Sequence, residues 1–582
     1  MRILPPLACF IILAAPVRAD DAIDSPMYRD PLIGLPPVVP VYPPGLVPLW
    51  LQALDRPETD LKCQAALTIA AAHRQGMPGL KATVPALLRE LDRPSAHASV
   101  RAAAAQALVA LDAKETAASL LKAGADDIDV RELVEPALAR WAFAPARDEW
   151  LKRIASPPPH RRPAILAMRC LAAMREEKAA PRLRELALAA DSPPFVRLEA
   201  ARAFGIIRRS GGEADADALA ADATPTGVLS RVAAASVLRH HDGAEAVRRL
   251  QTFAVDADPS VAAVALARLI EIDPKHVVPS LATVLASPDA NVRSYGVDVL
   301  FREASEGHIR LLGDRLSDLH PEVRVKARGF LRELAAKPEF KTWVIAAGVK
   351  ALAGSAWRGK EQAAVLLGHL DHKPAVTRLL ELLDDPRPEV AVATGWALRV
   401  LAVPDTLPRV FQYVRTHTRP GDAAARRKLP AEALDNQLCQ LCQFLGKSRH
   451  EPAEPVFREM IPPRPDAMPE ARAAACWALG LFHEGEAVAP LVTAMAGRVA
   501  AVNPFDVEDH RVRQMCAASL GRMNARDALP TLRKFCPIQQ HSSEIVHNTC
   551  GWAIEKITGE KMPAMQPIEA TQRAWFLTPL DK

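Results

Sequence analysis

Several groups of residues could do chemistry if the fold brought them together. His450-Glu451 and His483-Glu484 stand about thirty residues apart, and imidazole beside carboxylate is a donor set that suits a transition metal. Cys439-Gln440-Leu441-Cys442 is a Cys-x-x-Cys, a spacing used for thiol–disulfide exchange or for half of a zinc site. His240-His241-Asp242 is a third polar cluster. Arginines recur after valine, at Arg101, Arg131, Arg197, Arg293, Arg324 and Arg513, and could form an anion-binding stripe. The chain has no phosphate-cradling glycine loop, no Gly-x-Ser-x-Gly elbow and no His-Glu-x-x-His helix, so the commonest catalytic signatures are missing.

What these groups can do depends on the elements that hold them, and those elements repeat. The segment Val100-Arg101-Ala102-Ala103-Ala104-Ala105-Gln106-Ala107-Leu108 typifies one helix. The Val-Arg opening returns at 130, 196, 292, 323 and 512, with steps of 30 and 31 residues where neighbouring units can be compared. A preceding helix often opens with Pro, as at Pro85, Pro181, Pro279, Pro490 and Pro530, where the missing N–H costs nothing. Asp- and Pro-bearing turns, such as Asp258-Pro259 and Asp385-Pro386, precede the second helix and can cap it. One such pair cannot bury its own apolar face, so a period of this length requires a stack.

This pattern resembles HEAT-like repeats of the short bacterial kind, also called phycobilisome-lyase-type, over roughly residues 50–560. The resemblance implies an all-α, right-handed superhelical solenoid of about 14–15 helix pairs, with second helices on the concave side. The expected organisation is a signal segment over 1–19, a Pro-rich extended leader over 20–48, the solenoid over 49–560 and a capping tail over 561–582. Polar insertions are expected near 415–430 and 499–509. The leader is apolar enough to lie on the first repeats, and the tail, with Trp575-Phe576-Leu577, is expected to cover the last. In this family the recurring arginine generally bonds neighbouring carbonyls or the turn Asp of the next unit. Deoxyhypusine hydroxylase, a HEAT-like enzyme, holds two irons with His-Glu pairs. That family uses four pairs at the start of second helices, whereas both pairs here follow a helix. No cofactor and no metal is expected.

One column stands out. Six residues after the residue that opens each second helix, the chain reads Gln106, Pro136, Arg202, Ala267, Asp298, Gly329, Trp396 and Ala518, with Trp477 and Trp552 in two further helices. Offsets 0, 3, 4, 7 and 8 form the core side; at about 100° per residue, offset 6 faces away from it. Three tryptophans there either mark an aromatic binding surface or pack on the flank of the adjacent repeat.

Bulk properties limit the alternatives. Hydrophobic residues make up 49% and aromatics 5%, which fits helices in close contact through alanine. Basic and acidic residues number 73 and 68 and are well mixed, so nothing favours nucleic acid. Arg2, the apolar run to Ala15 and Val17-Arg18-Ala19 form a secretory signal cleaved near Ala19, giving an exported, periplasmic or extracellular chain without a membrane span. Eight cysteines remain: Cys63, Cys170, Cys439, Cys442, Cys476, Cys516, Cys536 and Cys550. They serve either as slightly enlarged alanines in the core or as disulfides among the last repeats. The expected function is a non-catalytic scaffold binding a protein or peptide on its concave face, with Trp396, Trp477 and Trp552 as anchors. The alternatives are a lyase- or isomerase-type enzyme on a bound chromophore or polymer, and an envelope glycan binder.

Overall fold

The computed structural model describes residues 23–156, 161–221, 227–419, 429–463, 468–503, 506–536, 544–563, 567–572 and 574–579. The expected signal segment lies outside them, as does most of the polar insertion at 415–430, whose first residues instead complete the helix Leu407–Thr418. The chain forms an all-α solenoid of stacked helix pairs, divided into two compact units. One comprises the chain up to Pro37 together with Leu300–Ile568; the other comprises Val38–Val299 and Glu569–Lys582.

The helix Ala98–Ala110 shows how a repeat folds. Val100, Ala103, Ala104, Ala107 and Leu108 are buried, which is the core side its spacing predicts. Second helices open on a carboxylate: Asp127, Asp258, Asp289 and Asp509 each accept the backbone N–H two residues on, and such a cap stabilises a helix by about 1 kcal/mol. Five of the recurring arginines, Arg131, Arg197, Arg293, Arg324 and Arg513, are ladder elements. Arg131 donates to the Gly124 carbonyl at 2.8 Å, Arg293 to Ser287 at 2.9 Å, Arg324 to Asp318 at 2.9 Å and Arg513 to Val499 at 3.0 Å. Each satisfies carbonyls at the end of the preceding helix, where no intrahelical donor exists.

The insertion at 499–509 contains a two-residue antiparallel hairpin, Val502–Asn503 with Asp506–Val507, and delivers Glu508 to the interior. Both Glu508 oxygens receive the Arg472 guanidinium, at 2.8 and 2.6 Å, while Arg472 also donates to the Met460 and Ile461 carbonyls. This is the same ladder with a buried carboxylate added.

In the unit of the first repeats, β1 (Val38–Val41) pairs with β2 (Ile568–Thr571), and the Gln572 backbone N–H donates to the Val41 carbonyl. The first helix, α1 (Leu46–Asp55), starts inside the expected leader; Pro48 sits in its first turn, where proline is tolerated. The tail departs from expectation. Met562 still lies against Gly551 of the last repeat, but Trp575 packs edge-on against Trp50 of α1 at 5.6 Å, and the Trp50 indole donates to the Leu577 carbonyl. An open solenoid end exposes core, and Trp50, fully buried, is the largest side chain on α1 that needs cover.

Candidate binding surface

The second helices of the C-terminal unit form a continuous run: α2 (Trp357–His369), α3 (Pro388–Leu401), α4 (Ala431–Lys447), α5 (Pro469–Phe482), α6 (His510–Arg522) and α7 (Ile545–Thr558), each in contact with the next. Their offset-6 tryptophans do not face open solvent. Trp396 and Trp477 are only 3% and 5% exposed, although offset 6 is the side away from the core. Trp552 is half-buried.

Two things cover them. On one side each indole lies over a glycine of the preceding second helix. A Cβ at Gly368 would stand 2.5 Å from the Trp396 ring, one at Gly446 3.3 Å from Trp477 and one at Gly521 2.7 Å from Trp552. At Gly368 and Gly521 only glycine leaves room for the ring, whereas at Gly446 the tighter neighbour is Ala478, whose Cβ would stand 2.5 Å away. His369 adds a second contact with Trp396, centroid to centroid 4.8 Å. Flank packing is therefore real, and it fixes the direction of the indoles.

On the other side lies the leader, residues 23–37. The expected leader divides: Val38–Val41 and Tyr42 lie in the unit of the first repeats, where the Tyr42 hydroxyl donates to the Gln75 carbonyl at 2.8 Å, whereas this part belongs with the C-terminal unit. Its polar groups find partners on α3 to α7, in chain order. Asp24 receives the Trp396 indole N–H at 3.3 Å and the Arg399 guanidinium at 2.9 Å; its carbonyl accepts from Arg399 and from the Gln440 amide, both at 3.0 Å. Gln440 also reaches Ser25. Met27 is fully buried, and its N–H donates to Gln443 Oε1. The Tyr28 hydroxyl donates to Glu470 Oε2 at 2.7 Å. Asp30 receives the Trp477 indole N–H, on its carbonyl at 3.1 Å and its carboxylate at 3.2 Å, and the Arg522 guanidinium at 2.6 Å. Asn548 donates to the Gly34 carbonyl at 3.3 Å. This part of the leader is mostly extended, as Pro26, Pro31, Pro36 and Pro37 favour, but Pro26–Arg29 makes one 3-10 turn, which points Met27 and Tyr28 at the helices.

The electrostatics follow from burial. Arg399 and Arg522 have side chains 11% and 6% exposed, while Asp24 and Asp30 remain about half exposed. Burial pulls both guanidinium pKa values down and the aspartates oppose the shift, so the leader supplies counter-charge to two desolvated cations. Burial and the Glu470 contact push the Tyr28 phenol up, keeping it a donor. Glu470 is held in turn by Arg511, at 2.7 Å, itself clamped by Asp509. Asp435 of α4 accepts the Glu470 and Ala471 N–H groups. It caps α5 from outside because Met468, at the cap position, has no acceptor side chain. Burial drives the Asp435 carboxyl up to about 6.

The other chemical candidates are structural. Cys439-Gln440-Leu441-Cys442 lies inside α4; Cys439 touches Ser25, Gln443 and Glu470, and Cys442 is fully buried. Cys476 and Cys516 are core residues 3.5 Å apart, sulfur to sulfur, and unbonded. The His483 ring N–H donates to the Glu454 carboxylate at 2.7 Å, and among the described residues no three His, Cys, Asp or Glu side chains converge to hold a metal. No helix of the described residues is long and apolar enough to cross a membrane. Of the surface's working residues, only the tryptophans are legible from spacing. Arg399, Gln440, Gln443, Glu470, Arg522 and Asn548 were missed, although Trp396 and Arg399 stand three apart on one helix, a spacing that puts them on one face.

The fold is that of HEAT-like repeat solenoids. No protein-family model and no curated protein matches the sequence. Solved structures do match in fold. One is Kap95p, an importin-β of yeast, whose binding induces the switch loops of RanGDP to adopt the GTP-bound conformation: TM-score 0.51, 16% identity, 88% of this chain and 72% of that one. Another is Kap121p bound to Pho4p: TM-score 0.51, 12% identity, 88% of this chain and 56% of that one. At such identities the likeness concerns the fold alone.

Proposed function

We propose that this chain is a non-catalytic scaffold that binds a protein partner through an extended peptide segment, on the second-helix face of its C-terminal repeats, and that it works outside the cytoplasm. The observation that carries this reading is the seating of residues 24–34. A stretch of main chain, two carboxylates, a phenol and a thioether are received by side chains from five successive helices. Preformed donors on a rigid stack bind an extended segment at low entropic cost. Other solenoids of this fold bind proteins, as Kap121p does Pho4p. The export reading rests on residues 1–19 of the sequence. Neither the lyase-type nor the glycan reading gains a specific observation, because the groups on this face serve peptide amides and carboxylates.

The test removes residues 20–37 from the mature chain and supplies a labelled peptide of residues 23–37 in trans. Saturable binding, lost in the Trp396→Ala/Trp477→Ala variant, is the expected result. A folded deletion variant, verified by circular dichroism, that leaves the peptide free would overturn the proposal.

A further inference from the structure

The leader's contacts are unequal, and their inequality describes a ligand. Two positions are read twice, once by an indole N–H and once by a guanidinium: Asp24 by Trp396 and Arg399, and Asp30 by Trp477 and Arg522. Between them a single apolar side chain, Met27, is fully buried. Beyond Asp30 engagement thins: Leu32 and Leu35 are 80% and 54% exposed, and the Gly34 carbonyl accepts from Asn548 at a longer 3.3 Å. Tyr28 adds a phenol held by Glu470 at 2.7 Å, and the two aspartates with Met27 carry the remaining specificity.

The receiving side does not need the leader in order to keep its shape. Trp396 rests on Gly368 and His369, and Trp477 on Gly446, so both indoles are held by neighbouring helices. Arg399 is held by Gln440, 2.6 Å away, and Arg522 lies near the Trp477 ring. Preorganised donors of this kind retain their specificity when the occupant leaves. The aspartates they hold are half-exposed, the arrangement of a polar contact that exchanges and not of a core.

Building on the proposed peptide-binding role, we infer that this face recognises in a partner protein an extended segment with two carboxylates six residues apart around an apolar anchor, and that residues 24–30 of the chain itself occupy the site until that partner arrives. Tethering gives the leader an effective concentration of about millimolar order. A partner must therefore bind well or loosen the leader, and the site stays closed to weak acidic peptides.

The experiment uses the full mature chain and its Asp24→Asn/Asp30→Asn variant, with a fluorescein-labelled peptide of residues 23–35 as probe. Fluorescence anisotropy is expected to show binding at least tenfold tighter to the variant, whose own leader competes poorly. The same peptide carrying both Asp→Asn changes, or one residue inserted between the two aspartates, should bind the variant at least tenfold more weakly. Arg399→Gln in the variant should weaken the parent peptide and leave the Asn-bearing peptide unaffected, a coupling that general loss of structure does not produce. Equal binding of all peptides would refute recognition by paired acids while leaving a peptide-binding face intact. Binding of none would remove both readings. If the wild-type chain sediments as a dimer that the peptide dissociates, the occupant is the leader of a second copy, and the partner proposal fails.

Discussion

The second helices of the first repeats and those of the last share one ladder but differ in what their outward column carries. Gln106, Arg202 and Ala267 are half-buried and Pro136 is exposed, whereas Trp396, Trp477 and Ala518 are buried. In the first repeats the buried charges pair between neighbouring repeats, as Arg153 does with Glu135. In the last repeats polar side chains such as Gln440, Gln443 and Arg522 are buried on helices that receive an additional segment of chain. A repeat array can thus keep one interior throughout and specialise a single face, because the outward column is free of core constraints.

Four measurements probe that contrast. The largest effect is expected from Arg472→Ala. It leaves Glu508, whose side chain is 3% exposed, without its main counter-charge, at a cost of about 3–5 kcal/mol. Arg239→Ala in the first repeats, whose Glu271 partner is 48% exposed, should cost about 0–1 kcal/mol. Urea titration followed by fluorescence reads both, and equal losses would mean that the last repeats are no more dependent on buried charge than the first.

Next comes a dependence on pH. Asp435 holds its proton up to about 6, whereas the unfolded chain releases it near 4. The native state therefore binds more protons between these values. The stabilisation from this group is full below about pH 4 and is lost as pH rises through 6, by about 2–3 kcal/mol. Asp435→Asn keeps an acceptor for the α5 amides and should remove that share of the slope between pH 4.5 and 7. An unchanged slope would show that the cap carboxyl titrates normally.

A smaller, spectroscopic effect concerns the leader. Removing residues 20–37 should raise acrylamide quenching of Trp396 and Trp477, measured in single-tryptophan variants, and leave Trp150 of the first repeats, fully buried, unchanged. Shielding that persists would assign all of the tryptophan burial to the glycine flanks. The smallest is chemical. Burial drives Cys439 up to about 12 and Cys442 well above the usual thiol range, and the contact with Cys476 together with burial does the same for Cys516. At pH 8, iodoacetamide should label the partly exposed Cys63 in native protein and reach these three only after unfolding.

Much of the scaffold is legible in the sequence because its rules are local. Val100, Ala103, Ala104, Ala107 and Leu108 state the buried side of a helix by spacing alone, and Asp258 or Asp289 announces a cap. The site is less legible because it depends on residues hundreds of positions apart. Offset 6 marks Trp396 and Trp477 as unusual, but nothing local to them names Asp24 or Asp30 as partners. The leader's valines suggest a place on the first repeats, and Val38–Val41 takes it; residues 23–37 are drawn elsewhere, by buried guanidinium groups that need anions. The tail misleads for a similar reason: Trp575 follows the last repeat in sequence and meets Trp50 in space. The reason Gly368 and Gly521 are glycine, an indole from the next repeat, appears only in three dimensions.

The leader's contacts also impose an order of events. Asp24, Asp30 and Gly34 meet residues 372, 492 and 514 positions later in the chain. Ribosomes deliver the leader first and its seat last, so both aspartates cannot be held until the helix His510–Arg522 exists. A chain that stops short of that helix leaves Asp30 and the prolines after it less firmly held, open to the proteases that meet unfinished proteins. The seated leader therefore reports that synthesis has passed Arg522.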